Sequence, residues 1–388
     1  MFFNLQMAYW VVYGLLAIMG ILTIVIMAIK FKNVRNQKKT EVSLQKFQSY
    51  LDYVQSQLDE EDRLRIPNQK VGDFDKKVLQ KVLIDWIQRL SGVHRDKLIT
   101  LCHDLGLIDF NLKQIKSLSE FKRLDAAYYL GSMRSSEAIP DLFKLLKKNK
   151  EGPEAFIIGR SIAQAADKPE DVKEMLTYLA KEERENYHLL ADIAGESTLD
   201  MSVQYKQLLT SENTELVKLA LLGLSNQTDS GMDSNVRSFV YSKDKEIRMN
   251  AVRLLITSGA WTSGEIKQMI HFNDSDVRAF IAQWIGDSGV VQFADQLQEG
   301  VKDSDKIVAR TCAKSLLKLG ESGFIKLCEV TIQNEGQPVA DLALECIQED
   351  LKESSVKTGN IEHVTSYNQK LYLYQKYFGK DEDLTQAI

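Results

Sequence analysis

Residues 8–29 (AYWVVYGLLAIMGILTIVIMAI) carry no charged side chain, and this run limits what the rest of the chain can be. As a helix rising about 1.5 Å per residue it is about 33 Å long, enough for the roughly 30 Å hydrocarbon core of a bilayer. A helix satisfies its own backbone hydrogen bonds, so it is stable in lipid. A cleaved signal peptide would want positive charge ahead of an apolar core of about 7–15 residues and a small-residue cleavage site. Here MFFNLQM is uncharged, the run is too long, and Lys30 and Lys32 follow it. The expectation is one uncleaved transmembrane helix, with Tyr9, Trp10 and Tyr13 at headgroup level. Gly14 and Gly20 are six apart, so no small-xxx-small motif points to a glycine-packed dimer.

Lys30, Lys32, Arg35, Lys38 and Lys39 precede the first acid, Glu41. The positive-inside rule then places the N-terminus outside and the C-terminal body in the cytoplasm of the cell. The same bases can attract anionic lipid, at about 1 kcal/mol each. Because these five bases lie in the first 40 residues, the remainder holds 44 bases against 54 acids, a net −10. That balance argues against nucleic acid as a partner, since such binding neutralises phosphates. Cys102, Cys312, Cys328 and Cys346 are irregularly spaced, which fits reduced, buried thiols rather than a disulfide framework or zinc site.

Residues 1–29 form the outer segment and span, and residues 30–74 the basic stretch, an amphipathic helix and a linker. Within the latter, Leu44, Phe47, Leu51, Val54 and Leu58 are spaced 3, 4, 3, 4, like a short heptad seam. The seam either pairs with a second copy, giving a homodimer, or lies on the chain's own first repeats or a partner. Residues 61–74, with Pro67 and Gly72, read as the linker. Residues 75–117 are N-terminal helices, 118–351 a repeat array, and 352–388 an aromatic cap or tail containing Tyr367, Tyr372, Tyr374, Tyr377 and Phe378. Pro140, Pro153 and Pro169 stand where helices begin. No strand alternation persists, so the fold class is all-α.

Three units in the second half align. Ile247, Val277 and Val308 recur at intervals of 30 and 31, as do Leu255, Ile285 and Leu316, and Gly259, Gly289 and Gly320. The two apolar positions stand on one helical face, and each glycine falls where a helix end wants a left-handed residue. Thr262 and Glu265 form a capping-box pair. Upstream, residues 121–149 repeat the pattern, with a glycine turn expected at Gly131 and Ile139, Leu142, Leu145 and Leu146 on one face. Fainter units run near 152–182, 184–212 and 213–243, and a half-unit covers 334–351.

The pattern Asp-x-[Asp/Glu]-[Ile/Val]-Arg at Asp244–Arg248 and Asp274–Arg278, with LDAAYYLGSMRSSEAIPDLFKLL at 124–146, resembles the HEAT-repeat family, in its short bacterial, phycobilisome-lyase-like form. It covers about residues 118–350. It departs from the pattern at 184–243, where alanine and glycine are scarce, and at Ala309, where arginine is expected. The resemblance implies an N-terminal transmembrane helix followed by a HEAT-type α-solenoid of about seven to eight helix pairs.

Arg248 and Arg278 are placed to reach acids in the neighbouring repeat, a structural ladder, with partner binding as the other reading. Gly286-Asp287-Ser288-Gly289 resembles the nucleophile loop of trypsin-like proteases but has Val290 for its last glycine and falls in an inter-helix turn. The five histidines, His94, His103, His188, His271 and His363, are scattered, and on a helix Cys102 and His103 diverge. There is no phosphate loop, dinucleotide fingerprint or H-E-x-x-H. Asn226-Gln-Thr228 fits a glycosylation pattern that a cytoplasmic body makes irrelevant. The sequence therefore reads as no enzyme, with no catalytic, cofactor or metal residues and no cofactor. It is expected to be a membrane-anchored cytoplasmic scaffold or adaptor binding membrane-associated protein partners. The resemblance to single-pass bacterial HEAT proteins implies an accessory subunit of a membrane glycosyltransferase making exopolysaccharide. The alternatives are a sensor dimerising through the juxtamembrane helix and a lyase-type HEAT protein acting on tetrapyrroles.

Overall fold

A computed structural model describes residues 2–149, 152–180, 186–225, 234–356 and 361–379. All regular structure among them is helical, twenty α-helices and two short 3-10 turns. The glycosylation pattern at Asn226 and the last nine residues of the tail lie outside the described residues. The chain divides into two compact units, Met1–Gln207 and Leu208–Ile388.

In the first unit, α1 (Phe2–Gln57) is continuous for 56 residues. The apolar run, the basic stretch and the amphipathic segment thus form one rod, because neither proline nor glycine occurs between Gly20 and Gln57. This helix is long and apolar enough to cross a membrane, and no residue of its apolar window is buried. Farther along, Phe47 and Leu51 cluster with Leu79 of α2 (Asp73–Arg89), with Leu44, Val82 and Trp86 around them. Val54 is also fully buried. The heptad-spaced residues are thus covered by the chain's own body.

The segment expected to be a linker is non-helical but bound. It doubles back along α1: Tyr53 donates to Glu61 at 2.7 Å, Tyr50 to the Arg65 carbonyl at 3.0 Å and Gln69 to the Lys46 carbonyl at 3.0 Å. Leu64 is buried beneath it. The chain is thereby returned to Ser43 and Lys46, whose side chains donate to Asp75 at 2.7 and 2.8 Å. From there α2 runs in the same direction as α1.

After α3 (Gly92–Asp104) and α4 (Leu107–Gln114) come three helix pairs: α5 (Glu120–Ser132) with α6 (Ile139–Lys148), α7 (Pro153–Ala165) with α8 (Pro169–Leu179), and α9 (Tyr187–Gly195) with α10 (Ser202–Leu208). The first helices pack in succession, α5 on α7 and α7 on α9. Pro140, Pro153 and Pro169 occupy first turns, where a missing N–H costs nothing. Gly131 is not the turn glycine. It lies inside α5, and the left-handed residue that ends the helix is Arg134, at φ 52°. An ideal Cβ on Gly131 would stand 2.6 Å from Ser161 Cα, so its missing side chain lets α5 and α7 touch.

The second unit holds five pairs: α11 (Thr214–Ser225) with α12 (Ser234–Phe239), α13 (Lys245–Thr257) with α14 (Ser263–Met269), α15 (Ser275–Asp287) with α16 (Ala294–Gly300), α17 (Lys306–Lys318) with α18 (Glu321–Gln333), and α19 (Pro338–Val356) with α20 (Ile361–Phe378). First helices again pack on first helices, and α16, α18 and α20 form the second layer. Asp244, Asp274 and Asp305 cap the repeat helices through their carboxylates. Gly259 and Gly289 are left-handed at φ 66° and 64° and close their helices, whereas Gly320, also at positive φ (73°), has ψ −148° and caps the start of α18. Ile247, Val277, Val308, Leu255, Ile285 and Leu316 are all buried. The expected half-unit at 334–351 becomes a whole pair, because α20 packs on α18 and α19 and buries Tyr367, Leu371 and Tyr374. Eight pairs are thus present among the described residues.

Candidate interaction groove

The recurrent arginines go where stacking needs them. Arg248 donates through Nε, at 2.7 Å, and Nη2 to the one oxygen Oδ2 of Asp274, and Arg278 is bidentate to Asp303 at 2.7 and 2.9 Å. Each also donates through Nη1 to a carbonyl before its own helix, Ser242 at 2.6 Å and Phe272 at 2.7 Å. Ahead of them Lys218 reaches Asp244 at 3.2 Å. After them, where Ala309 interrupts the pattern, Arg310 one residue later reaches Glu345 at 3.2 Å and also Glu349. Burial alone would raise the Asp274 and Asp303 carboxyls, but the guanidinium and backbone N–H groups on each hold it below the usual carboxylate range. Each guanidinium is engaged within the stack, so the ladder has little to offer a partner.

The other singled-out residues do not converge. Cys102, Cys312, Cys328 and Cys346 are free and buried. Cys102 is fully buried, whereas the His103 side chain next to it is exposed and 4.0 Å from Asp104. Asp287 of the Gly286–Gly289 segment is bound by Lys318 at 2.6 Å. Among the described residues no group of three His, Cys, Asp or Glu side chains could hold a metal ion.

A surface that the sequence reading did not single out lies in the first unit. A groove of about 650 Å³ runs across α5, α7 and α9, with α2 and α3 at one side. The Gly131–Ser161 contact sets its floor. Ser132, beside Gly131, is 7% exposed and its Oγ has no hydrogen-bond partner among the described residues. Along the groove stand Tyr128, Ile157 and Leu189, one from each successive first helix, exposed by 38, 45 and 37%. Single exposed apolar residues are ordinary, whereas three of them lining one concave surface make it the candidate interaction site of this unit.

The rim is polar and mostly basic. Arg95 is used internally, its Nε donating to the Leu90 carbonyl at 2.8 Å. Arg160 lies 3.6 Å from Glu196, which also accepts from Gln164 at 3.2 Å. Arg134 has no acidic partner among the described residues. Its helix end closes as those at Gly259 and Gly289 do: Ser135 N donates to Leu130 O at 3.1 Å and Arg134 N to Gly131 O at 2.8 Å. A charged side chain thus stands at the groove where later repeats have glycine. The only sequence signal for this surface was the recurrence of an apolar residue at 128, 157 and 189 on helix faces opposite the core.

No family model and no curated protein sequence matches this chain. Among solved structures it is similar to an engineered protein at 16% identity, over 80% of this chain and 93% of that one, with a TM-score of 0.31. It is also similar to human deoxyhypusine hydroxylase in complex with glycerol, at 15% identity over 77% of this chain and 98% of that one, with a TM-score of 0.22. At such TM-scores these likenesses carry no argument about function.

Proposed function

We propose that this chain is a membrane-anchored scaffold of the HEAT-repeat type, without chemistry of its own, that holds a protein partner at the membrane surface. The observation that carries the reading is the row Tyr128, Ile157 and Leu189 over a groove with a basic rim. Aromatic and aliphatic anchors in a concave surface supply affinity, and the arginine rim selects register and charge. The partner segment it fits is apolar on one side and acidic on the other. The exposed apolar window of α1 supports anchoring: buried nowhere in the protein, it needs lipid around it. Anchoring confines the search for partners to the membrane surface and raises their effective concentration. The basic flank favours a cytoplasmic body, and the resemblance of the repeats favours a membrane glycosyltransferase making exopolysaccharide as the partner. A sensor dimerising through residues 41–60 would first have to lift Phe47 and Leu51 off α2.

The test is photo-crosslinking from intact membranes with the probe at Ile157, and with a control probe at exposed Ile307 in the other unit. The expected result is one membrane-associated protein captured at 157, and lost with Leu189→Asp. Equal capture at both positions, or capture unaffected by L189D, would count against the groove. A reporter fused after Ile388 and active only outside the cytoplasm would overturn the orientation.

A further inference from the structure

A second cleft lies where α1 leaves its apolar window. It measures about 590 Å³ and is lined by α1 and the start of α2. Arg35, Lys38 and Lys39 face it, at helical spacing that puts them on one side of α1. Interleaved on that side are Phe31, Val34 and Val42, all exposed, and across from them stands Phe74 of α2, 39% exposed. Lys30 and Lys32 do not line it. Asp75, the one acid in the lining, is occupied: Ser43 takes one carboxylate oxygen, while Lys46 and the Gly72 N–H take the other. No acid among the described residues pairs with Arg35, Lys38 or Lys39.

We propose that this cleft binds the headgroup of an anionic phospholipid of the leaflet facing the body. The inference rests on α1 spanning the membrane and adds to that reading a specific lipid site. Counting about 1.5 Å per residue from Ile29, Phe31 stands about 3 Å beyond the hydrocarbon edge, Arg35 about 9 Å and Lys39 about 15 Å. The headgroup layer is roughly 5–7 Å thick, and long basic side chains reach back toward it. Arg35 and Lys38 thus reach back to the phosphate level, while Phe31, nearest the hydrocarbon edge, meets the upper end of the acyl chain. A signal for topology alone requires only a count of positive charges. It does not require the bases on one face, apolar residues between them, and an aromatic ring brought opposite by the strap of residues 58–72. That arrangement matches an amphiphile with a negative head, and charge complementarity names which kind.

The full-length chain is reconstituted in nanodiscs of phosphatidylcholine with about 20% phosphatidylglycerol, so that an anionic lipid competes with a neutral one in excess. Lipids retained after detergent extraction are then counted by native mass spectrometry. Phosphatidylglycerol is expected to be retained in preference to phosphatidylcholine, and retention to fall at least tenfold in Arg35→Gln/Lys38→Gln/Lys39→Gln, since each base contributes about fivefold. Phe74→Glu, which leaves all five bases in place, is expected to reduce retention severalfold. Unchanged retention in the triple variant would overturn the site. Loss in the triple variant with no effect of F74E would also overturn it, leaving only diffuse surface attraction. A wild-type chain washed from membranes at alkaline pH would overturn the anchor, a failure separate from that of the cleft.

Discussion

Arg278→Ala tests whether the ladder holds the second unit together. Arg278 and Asp303 side chains are only 14 and 12% exposed, and the guanidinium also satisfies the Phe272 and Asn273 carbonyls. Removing one partner of a buried pair costs about 3–5 kcal/mol, because the other charge is left without water or counter-charge. Residual exposure and the Asp305 N–H that still donates to Asp303 reduce this to about 2–4 kcal/mol. Hydrogen exchange of α15 and α17 amides in the full-length chain reads the local opening. A loss of that size speeds exchange roughly thirtyfold to several-hundredfold. Lys318→Ala removes a half-exposed partner of Asp287 and is the control, with a cost under about 1 kcal/mol. Arg278→Ala/Asp303→Ala should be less destabilised than the sum of the singles, since no charge is stranded. Acid provides a second check. The depressed Asp303 carboxyl contributes fully above the ordinary value near 3.8, and that contribution is lost as pH falls through the folded value. The penalty of R278A should therefore shrink below about pH 4. A cost for R278A no larger than that for K318A would refute the reasoning.

Four further outcomes follow from the same geometry. Gly286→Ala places a Cβ 2.7 Å from Ser315 Cβ, so overpacking should outweigh the gain in helix propensity and destabilise by about 1–2 kcal/mol in urea melts. Gly195→Ala, with nothing within 4 Å, should be neutral or stabilising by up to about 1 kcal/mol. Arg134→Gly relieves a left-handed arginine and should raise the melting temperature while weakening partner capture at the groove, the opposite signs distinguishing a binding role from a structural one. Cys102, Cys312 and Cys328, pushed up by burial to about 12, should resist maleimide at pH 8 in the native chain and label on unfolding.

What was legible in the sequence was what forms locally or repeats. The uncharged run, the aspartate caps at Asp244 and Asp274, the left-handed glycines at 259 and 289 and the buried apolar positions are set by neighbours within a turn or two. Their recurrence at 30 and 31 residues announced stacked helix pairs. Tertiary structure decided the rest, because it depends on which surfaces meet. Gly131 reads as a turn by its neighbours, but it serves the approach of α7, and Arg134 takes the strained position three residues on. The heptad spacing of residues 44–58 says that a face is buried without saying against what, and only the return of residues 58–72 shows that α2 covers it. The groove is the clearest case. Tyr128, Ile157 and Leu189 are unremarkable one at a time, and become a surface only when three helices set them side by side.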